Sequence, residues 1–284
     1  MSITCTYLSP SRWLASPLAE KLSSSTCEKY RVTASSYPQL SLSNTKTDTL
    51  SLIQSSGVIA CLRATSAELA FEAASAALNG GISVLEIVMS TPGALQVFFD
   101  KPFSSHSCTS AGAGPSQIGH RVLVVVILIN CIIQVGTVLS SKDAIDARNA
   151  GAKFLMSPAI VKDIMDDFSN GEVLYIPGTM TPTEILSAYN AGAEIIKVYP
   201  VSALGGVPYM SAIKKPFPHI PMVASQGITI DSVGDYISHG ASAVVLSDAI
   251  FRKDSMLHRD FNAIYHSAYL ASLQAKEAIQ RNRS

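Results

Sequence analysis

Three features of this 284-residue chain predict an α/β fold, a closed (β/α)8 barrel of the TIM type. Short apolar, β-branched runs alternate with helical patterns from about residue 47 onward, at a period of roughly 20 to 25 residues. A glycine turn recurs at Ala150-Gly151-Ala152, Ala191-Gly192-Ala193 and His239-Gly240-Ala241, each time closing a helix directly before an apolar strand. Eight such strands fit into about 230 residues, the proportions of a parallel barrel.

Taken in order, the chain opens on a segment of different composition. Residues 1–46 are rich in serine and threonine and poor in acid, with Arg12, Lys21, Lys29 and Arg31 scattered along them. No apolar core of signal-peptide length occurs there. This is the composition of a transit peptide, with Val32-Thr33-Ala34 as a cleavage neighbourhood, and it points to the chloroplast stroma; an ordinary disordered tail is the alternative. The barrel then occupies 47–284. Gly57 to Leu62 reads as the first strand, Ser66 to Leu78 as a helix ending at Asn79-Gly80-Gly81, and Ile82 to Val88 as the second strand. A short helix opens near Pro92. Later strands fall near Ile132–Val135, Lys153–Met156, Val173–Ile176, Glu194–Pro200, Met222–Ala224 and Ser242–Leu246.

One segment breaks the rhythm before the third strand. A polar Ser/Gly run, Ser104 to Gly119, precedes the apolar run Val122 to Ile129, so residues 104–126 read as an insertion. The apolar run is too short to span a membrane. Gly112-Ala113-Gly114 precedes its strand instead of following it and lacks a correctly placed third glycine, which argues against a dinucleotide loop.

Charge and cysteine content exclude several functions. Lysine plus arginine equals aspartate plus glutamate, 21 each, so no strong field favours nucleic acid or an anionic membrane. Cys5, Cys27, Cys61, Cys108 and Cys131 are odd in number and contain no CxxC pair. A disulfide framework or a structural zinc site is therefore not expected.

The strand around Lys197 carries the chemistry. Alternate residues share a face, so Ile195, Lys197 and Tyr199 point one way and Ile196 and Val198 the other. An ammonium among such residues costs several kcal/mol unless it is paired or neutralised. A lysine that gives up its proton there is an amine nucleophile suited to forming a Schiff base with a ketone. Lys153 opens its strand and so faces the end away from a barrel's active site, whereas Lys197 lies toward the active end. Glu86 shares a face with Val84 and Val88 and points to that same end. A lone buried glutamate is commonly a salt-bridged structural residue; beside a lysine in one barrel it becomes a candidate acid/base partner. Arg63, just past the first strand, is an anchor for a carboxylate or else a surface arginine.

These residues resemble a known family. Gly57 to Ala64, Leu85-Glu86-Ile87, Val135-Gly136-Thr137-Val138, Met156-Ser157-Pro158, Ile176-Pro177-Gly178, Ile196 to Pro200 and Gly205-Gly206 are similar, in this order, to motifs of the 2-keto-3-deoxy-6-phosphogluconate (KDPG) and 4-hydroxy-2-oxoglutarate (KHG) aldolases. The resemblance runs from about residue 50 to 255, the insertion excepted, and looks most like a plant plastid-type member. It implies a homotrimeric class I aldolase that uses no metal or cofactor and releases pyruvate from a 2-oxo acid. It further implies Lys197 as the Schiff-base residue, Glu86 as the proton shuttle, Arg63 and Thr137 lining the pyruvate pocket and Pro200 supporting the lysine strand. Ser225 and Gly227, with Ser247, would belong to the two loops that cradle a phosphate.

Those loops depart from the family pattern. Ser225-Gln226-Gly227 stands where Thr-Gly-Gly is usual, and Ser247-Asp248 where Gly-Ser is usual. Asp248 either caps the next helix or brings a negative charge to the cradle. The altered loops and the insertion leave open a barrel that has lost activity and serves as a binding or assembly subunit. A phosphate-binding isomerase on the same fold gives Lys197 no special task. Deleting Ser104 to Val126 is expected to leave a soluble folded barrel, since Ile127 to Val135 is still long enough to pair. Loss of soluble protein in an expression trial would place the apolar run in the core instead.

Overall fold

The computed structural model describes residues 45–93, 132–168 and 171–283, with 132–135 described by backbone alone. The leader up to residue 44, the helix expected to follow Pro92 and the 104–126 insertion lie outside the described residues. The strands are β1 (Val58–Leu62), β2 (Val84–Val88), β3 (Ile132–Gly136), β4 (Phe154–Met156), β5 (Leu174–Ile176), β6 (Gly178–Thr179), β7 (Ile196–Val198), β8 (Met222–Ser225) and β9 (Ala243–Leu246). All pair in parallel, in the order β5-β4-β3-β2-β1-β9-β8-β7-β6.

The two ends of that order are one strand. Only Pro177 separates β5 from β6, and proline has no N–H to give to a ladder. Its carbonyl still accepts from the Lys197 N–H at 2.9 Å, so pairing passes through the break and the sheet closes on eight strands. Following the registers once around, from Lys197 through Val223 and Ala243 and onward to Gly178, returns to the starting strand displaced by eight residues. That stagger is the shear of a TIM barrel.

Alternation sorts each strand into two layers. Ile59, Val84, Phe154, Leu174, Ile195 and Val223 fill the barrel, whereas Ala60, Leu85, Leu155, Ile196 and Ala224 pack outward under the helices. The helices are α1 (Lys46–Ser56), α2 (Ala67–Asn79), α3 (Ser141–Ala150), α4 (Lys162–Phe168), α5 (Pro182–Asn190), α6 (Val207–Lys214), α7 (Val233–Ser238), α8 (Lys253–Leu257) and α9 (Phe261–Arg283). Among the described residues no helix is long and apolar enough to cross a membrane.

Helix α1 departs from the outer ring. Its Ile53 is fully buried, with Leu50 and Leu52 beside it, against the interior cluster of the barrel. A side chain in that position closes the floor at the strands' amino ends. Thr45 and Asp48 form a reciprocal capping box at its start, and Gly57, at φ 69°, ends it. Lys46 reaches Glu194 at 2.8 Å, tying the helix to the turn that enters β7. The first capped turn thus starts one residue before the barrel boundary expected at 47. Ser66 caps α2 as the helical pattern anticipates, its hydroxyl accepting from Leu69 N–H at 3.2 Å.

The 23-residue α9 closes the outside. Ala268, Ala271, Ala275 and Ala278 form its buried stripe against α2 and α7. Small residues let the backbones approach, and a Cβ on Gly80 would lie 2.6 Å from the Tyr265 carbonyl oxygen. The floor contact gives a direct test. Ile53→Ala is expected to lower unfolding free energy by about 2 to 5 kcal/mol, read as a reduced midpoint in urea.

Candidate active site

Lys197 and Glu86 enter the barrel from opposite sides of its interior. Lys197 is the central residue of the three-residue β7, and it is 7% exposed. It therefore sits at the middle of its strand. Its Nζ lies 5.2 Å from the centre of the Tyr199 ring, within cation–π range. Glu86 is central in β2 and 1% exposed. Among the described residues its Oε2 meets no hydrogen-bond donor. No ion pair joins Glu86 to Lys197 directly, so the carboxylate does not spend its charge on the lysine.

Two residues that sequence patterns did not single out shape this pair. Cys61 on β1 is in register with Glu86 and shares its interior face. Burial pushes the Cys61 thiol well above its ordinary range, and the Glu86 carboxylate adds to the rise, while Lys197 and Arg63 oppose it. Cys61 is accordingly a neutral thiol at physiological pH, and these charges all act on one point. The signal was parity: Ile59 and Cys61 share a face, and Cys61 lies two residues before Arg63.

Gly136 is the second. A Cβ there would fall 1.6 Å from Glu86 Oε1 and 2.4 Å from its carboxyl carbon. The carboxylate therefore lies in the space that only a glycine leaves open on β3. The next residue, Thr137, has φ 62°, a left-handed value that a β-branched residue rarely adopts. Such torsions cost on the order of 1 to 3 kcal/mol and persist where surroundings enforce them. Val138 N–H donates to the Met156 carbonyl at 3.1 Å, holding the chain on the far side of the strain.

The remaining expected residues surround this centre at the carboxyl ends of the strands. Arg63 is exposed just beyond β1. Pro200 follows a cis peptide bond from Tyr199, whose N–H donates to the Thr179 carbonyl at 3.0 Å. Ser225 ends β8, is buried, and accepts from Val201 N–H at 2.9 Å. Gly227 has φ 73°, and a Cβ on it would meet the Ser202 hydroxyl oxygen at 2.3 Å. Gln226 also takes a left-handed torsion, φ 84°, and its Oε1 accepts from the Ser202 hydroxyl at 2.6 Å.

Ser247 follows β9 and is half-buried. Its carbonyl accepts from Ile250 N–H at 3.0 Å and Phe251 N–H at 2.8 Å. Asp248 is exposed in that turn and does not cap the next helix. The N-cap of α8 is Arg252, without a side-chain cap bond, because the turn at Ser247 places four residues between them and the start of the helix. Lys153 lies half-buried just before β4, at the amino end of the barrel.

The steric dependence of Glu86 on Gly136 can be measured. Gly136→Ala is expected to destabilise the protein by roughly 1 to 3 kcal/mol in chemical denaturation. Adding Glu86→Ala should recover most of that loss, as a double-mutant cycle would read.

Comparison with known proteins agrees with this geometry. Residues 123–267 match the family model described as KDPG and KHG aldolase. The 2-dehydro-3-deoxy-phosphogluconate aldolase of Pseudoalteromonas atlantica is 30% identical over 165 residues, which cover 58% of this chain and 66% of that protein. The KHG/KDPG aldolase of Escherichia coli K12 is 26% identical over 215 residues, covering 74% and 90%. The chain thus spans about two thirds of one relative's length and nine tenths of the other's. Among solved structures, a KDPG aldolase from Legionella pneumophila, with pyruvate captured as a covalent carbinolamine, superposes with a TM-score of 0.64. That likeness is at 23% identity and covers 78% of this chain and 96% of the other. With the family model matched over half of its length and the same barrel beneath it, the chain belongs to the KDPG and KHG aldolase family of carbon–carbon lyases.

Proposed function

We propose that this protein is a class I aldolase that cleaves a 4-hydroxy-2-oxo acid to pyruvate and an aldehyde, through a Schiff base on Lys197. The observation that carries the reading is a buried carboxylate, Glu86, with one oxygen that meets no donor among the described residues and no ion pair to the buried lysine in the same barrel. A structural glutamate in an apolar interior is normally satisfied by a partner; this one keeps an acceptor in reserve.

The steps follow from that pairing. The Lys197 amine adds to the C2 ketone, and loss of water from the carbinolamine gives a protonated imine. Glu86, directly or through a water, accepts the proton of the C4 hydroxyl as the C3–C4 bond breaks. The bonding pair moves onto C3, the enamine forms and the aldehyde departs. Glu86 then returns its proton to C3, and water hydrolyses the imine to release pyruvate and the free amine. Arg63, exposed at the mouth of β1, is suited to hold the substrate carboxylate by a bidentate contact. Thr137, presented by its left-handed torsion beside the Glu86 slot, would line the pyruvate position.

The acid-poor, serine-rich leader supports delivery to a plastid, and the sequence resemblance supports a homotrimer. The chemical proposal is tested by reduction. Borohydride with pyruvate should add a pyruvyl mass to the peptide carrying Lys197, and Lys197→Ala should abolish both trapping and cleavage. Lys153→Ala, at the other end of the barrel, should retain both. Glu86→Gln should still trap pyruvate but turn over roughly two to four orders of magnitude more slowly. Trapping in Lys197→Ala would move the nucleophile elsewhere, and unchanged turnover in Glu86→Gln would remove Glu86 from the mechanism.

A further inference from the structure

The loops that follow β7 and β8 are fastened together, and the fastening uses side chains that a phosphate cradle has no need of. In barrels of this kind the loops after the last two strands bind phosphate through close backbone N–H groups, an approach that glycine permits. Here the backbone retains the left-handed torsions of such a loop at both Gln226 and Gly227. Gln226 nonetheless carries a side chain, and that side chain is committed. Ser202, five residues beyond Lys197, donates its hydroxyl to Gln226 Oε1 at 2.6 Å. The same serine occupies the space beside Gly227, where a Cβ would meet its Oγ at 2.3 Å and its Cβ at 2.4 Å. Val201 N–H donates to the Ser225 carbonyl at 2.9 Å, so backbone and side chain join the same two loops.

The bond to Ser202 engages the oxygen end of the amide. With Oε1 accepting, the Nε2 group is presented as a pair of neutral donors with no partner among the described residues. The neighbouring loop contributes charge of the wrong sign for phosphate. Ser225 is in register with Val245, so the loops after β8 and β9 leave neighbouring strand ends, and Asp248 is exposed in the second of them. Repulsion from Asp248 grows with ligand charge, which is −1.5 to −2 for a phosphate ester and about −1 for a carboxylate.

We propose that the Ser202–Gln226 clasp, with Asp248 in the loop after the adjoining strand, determines specificity by converting the distal anion site into one for a carboxylate, selecting an unphosphorylated 4-hydroxy-2-oxo diacid over a phosphorylated sugar acid. This deepens the aldolase reading and rests on it. The planar amide of Gln226 donates to the distal carboxylate, Ser202 orients that amide, and the side chain covers backbone donors that a larger dianion would need.

The test compares kcat/KM for 4-hydroxy-2-oxoglutarate and for 2-keto-3-deoxy-6-phosphogluconate in the full chain and its variants. The unaltered protein should favour the diacid by about tenfold or more, and Gln226→Gly should move the ratio toward the phosphorylated substrate by at least about tenfold. Ser202→Ala should shift the ratio the same way by about threefold, through KM for the diacid more than through kcat. Asp248→Ser should improve KM for the phosphorylated substrate, and more so at low ionic strength. Glycine relieves the torsion at residue 226, so Gln226→Gly is expected to fold at least as stably. A preference of the unaltered protein for the phosphorylated substrate overturns the proposal. So does an unchanged ratio in Gln226→Gly, or a Gln226→Gly protein that no longer traps pyruvate, since the clasp would then be structural. If the unaltered protein itself traps no pyruvate under borohydride, the aldolase reading fails first and the proposal falls with it.

Discussion

A carboxylate and an amine share the interior of one apolar barrel, and most of the local structure exists to keep both there without joining them. Desolvating either group is costly, and a direct ion pair would be the simplest remedy. The protein uses a different one. Glu86 lies in the slot above Gly136, beside a thiol that burial keeps neutral, while Lys197 rests near the Tyr199 ring. Thr137 takes its left-handed torsion immediately after the glycine that makes room for the carboxylate.

Closure makes that arrangement possible. Interior positions on neighbouring strands belong to the same layer only if the stagger around the sheet is even, and here it is eight. Pro177 lies at the closing seam, where it interrupts the ladder and still anchors Lys197 through its carbonyl. The strand carrying the amine is therefore paired on one side with regular β8 and on the other with the shortest strand of the sheet.

Much of this is legible in the sequence. The β-branched runs and the glycines behind them locate the strands, and two-residue alternation places Lys197 and Glu86 inside. What alternation cannot say is which residue stands across from which. Cys61 stands in register with Glu86, and Gly136 lies two residues further along β3, in register with Val88; such positions are a property of pairs of strands, and neither residue has a distinctive type for its role. The break at Pro177 and the alanine stripe of α9 were hidden for the same reason. Gln226 is the instructive case: its departure from glycine was visible, but its left-handed torsion and its bond to Ser202 were not. Asp248 was read as a possible helix cap because it follows a strand end, yet the turn built on the Ser247 carbonyl delays the helix to Lys253.

The helix under the barrel has a consequence for the amino-terminal boundary of the fold. Its capping box starts at Thr45, its Lys46 holds the turn three residues ahead of Lys197, and its Ile53 fills the floor. Loss of Thr45 would remove the side chain that caps the helix, and loss of Lys46 the ion pair to Glu194 as well. The first turn of α1 thus ties the start of the barrel to the strand that carries Lys197.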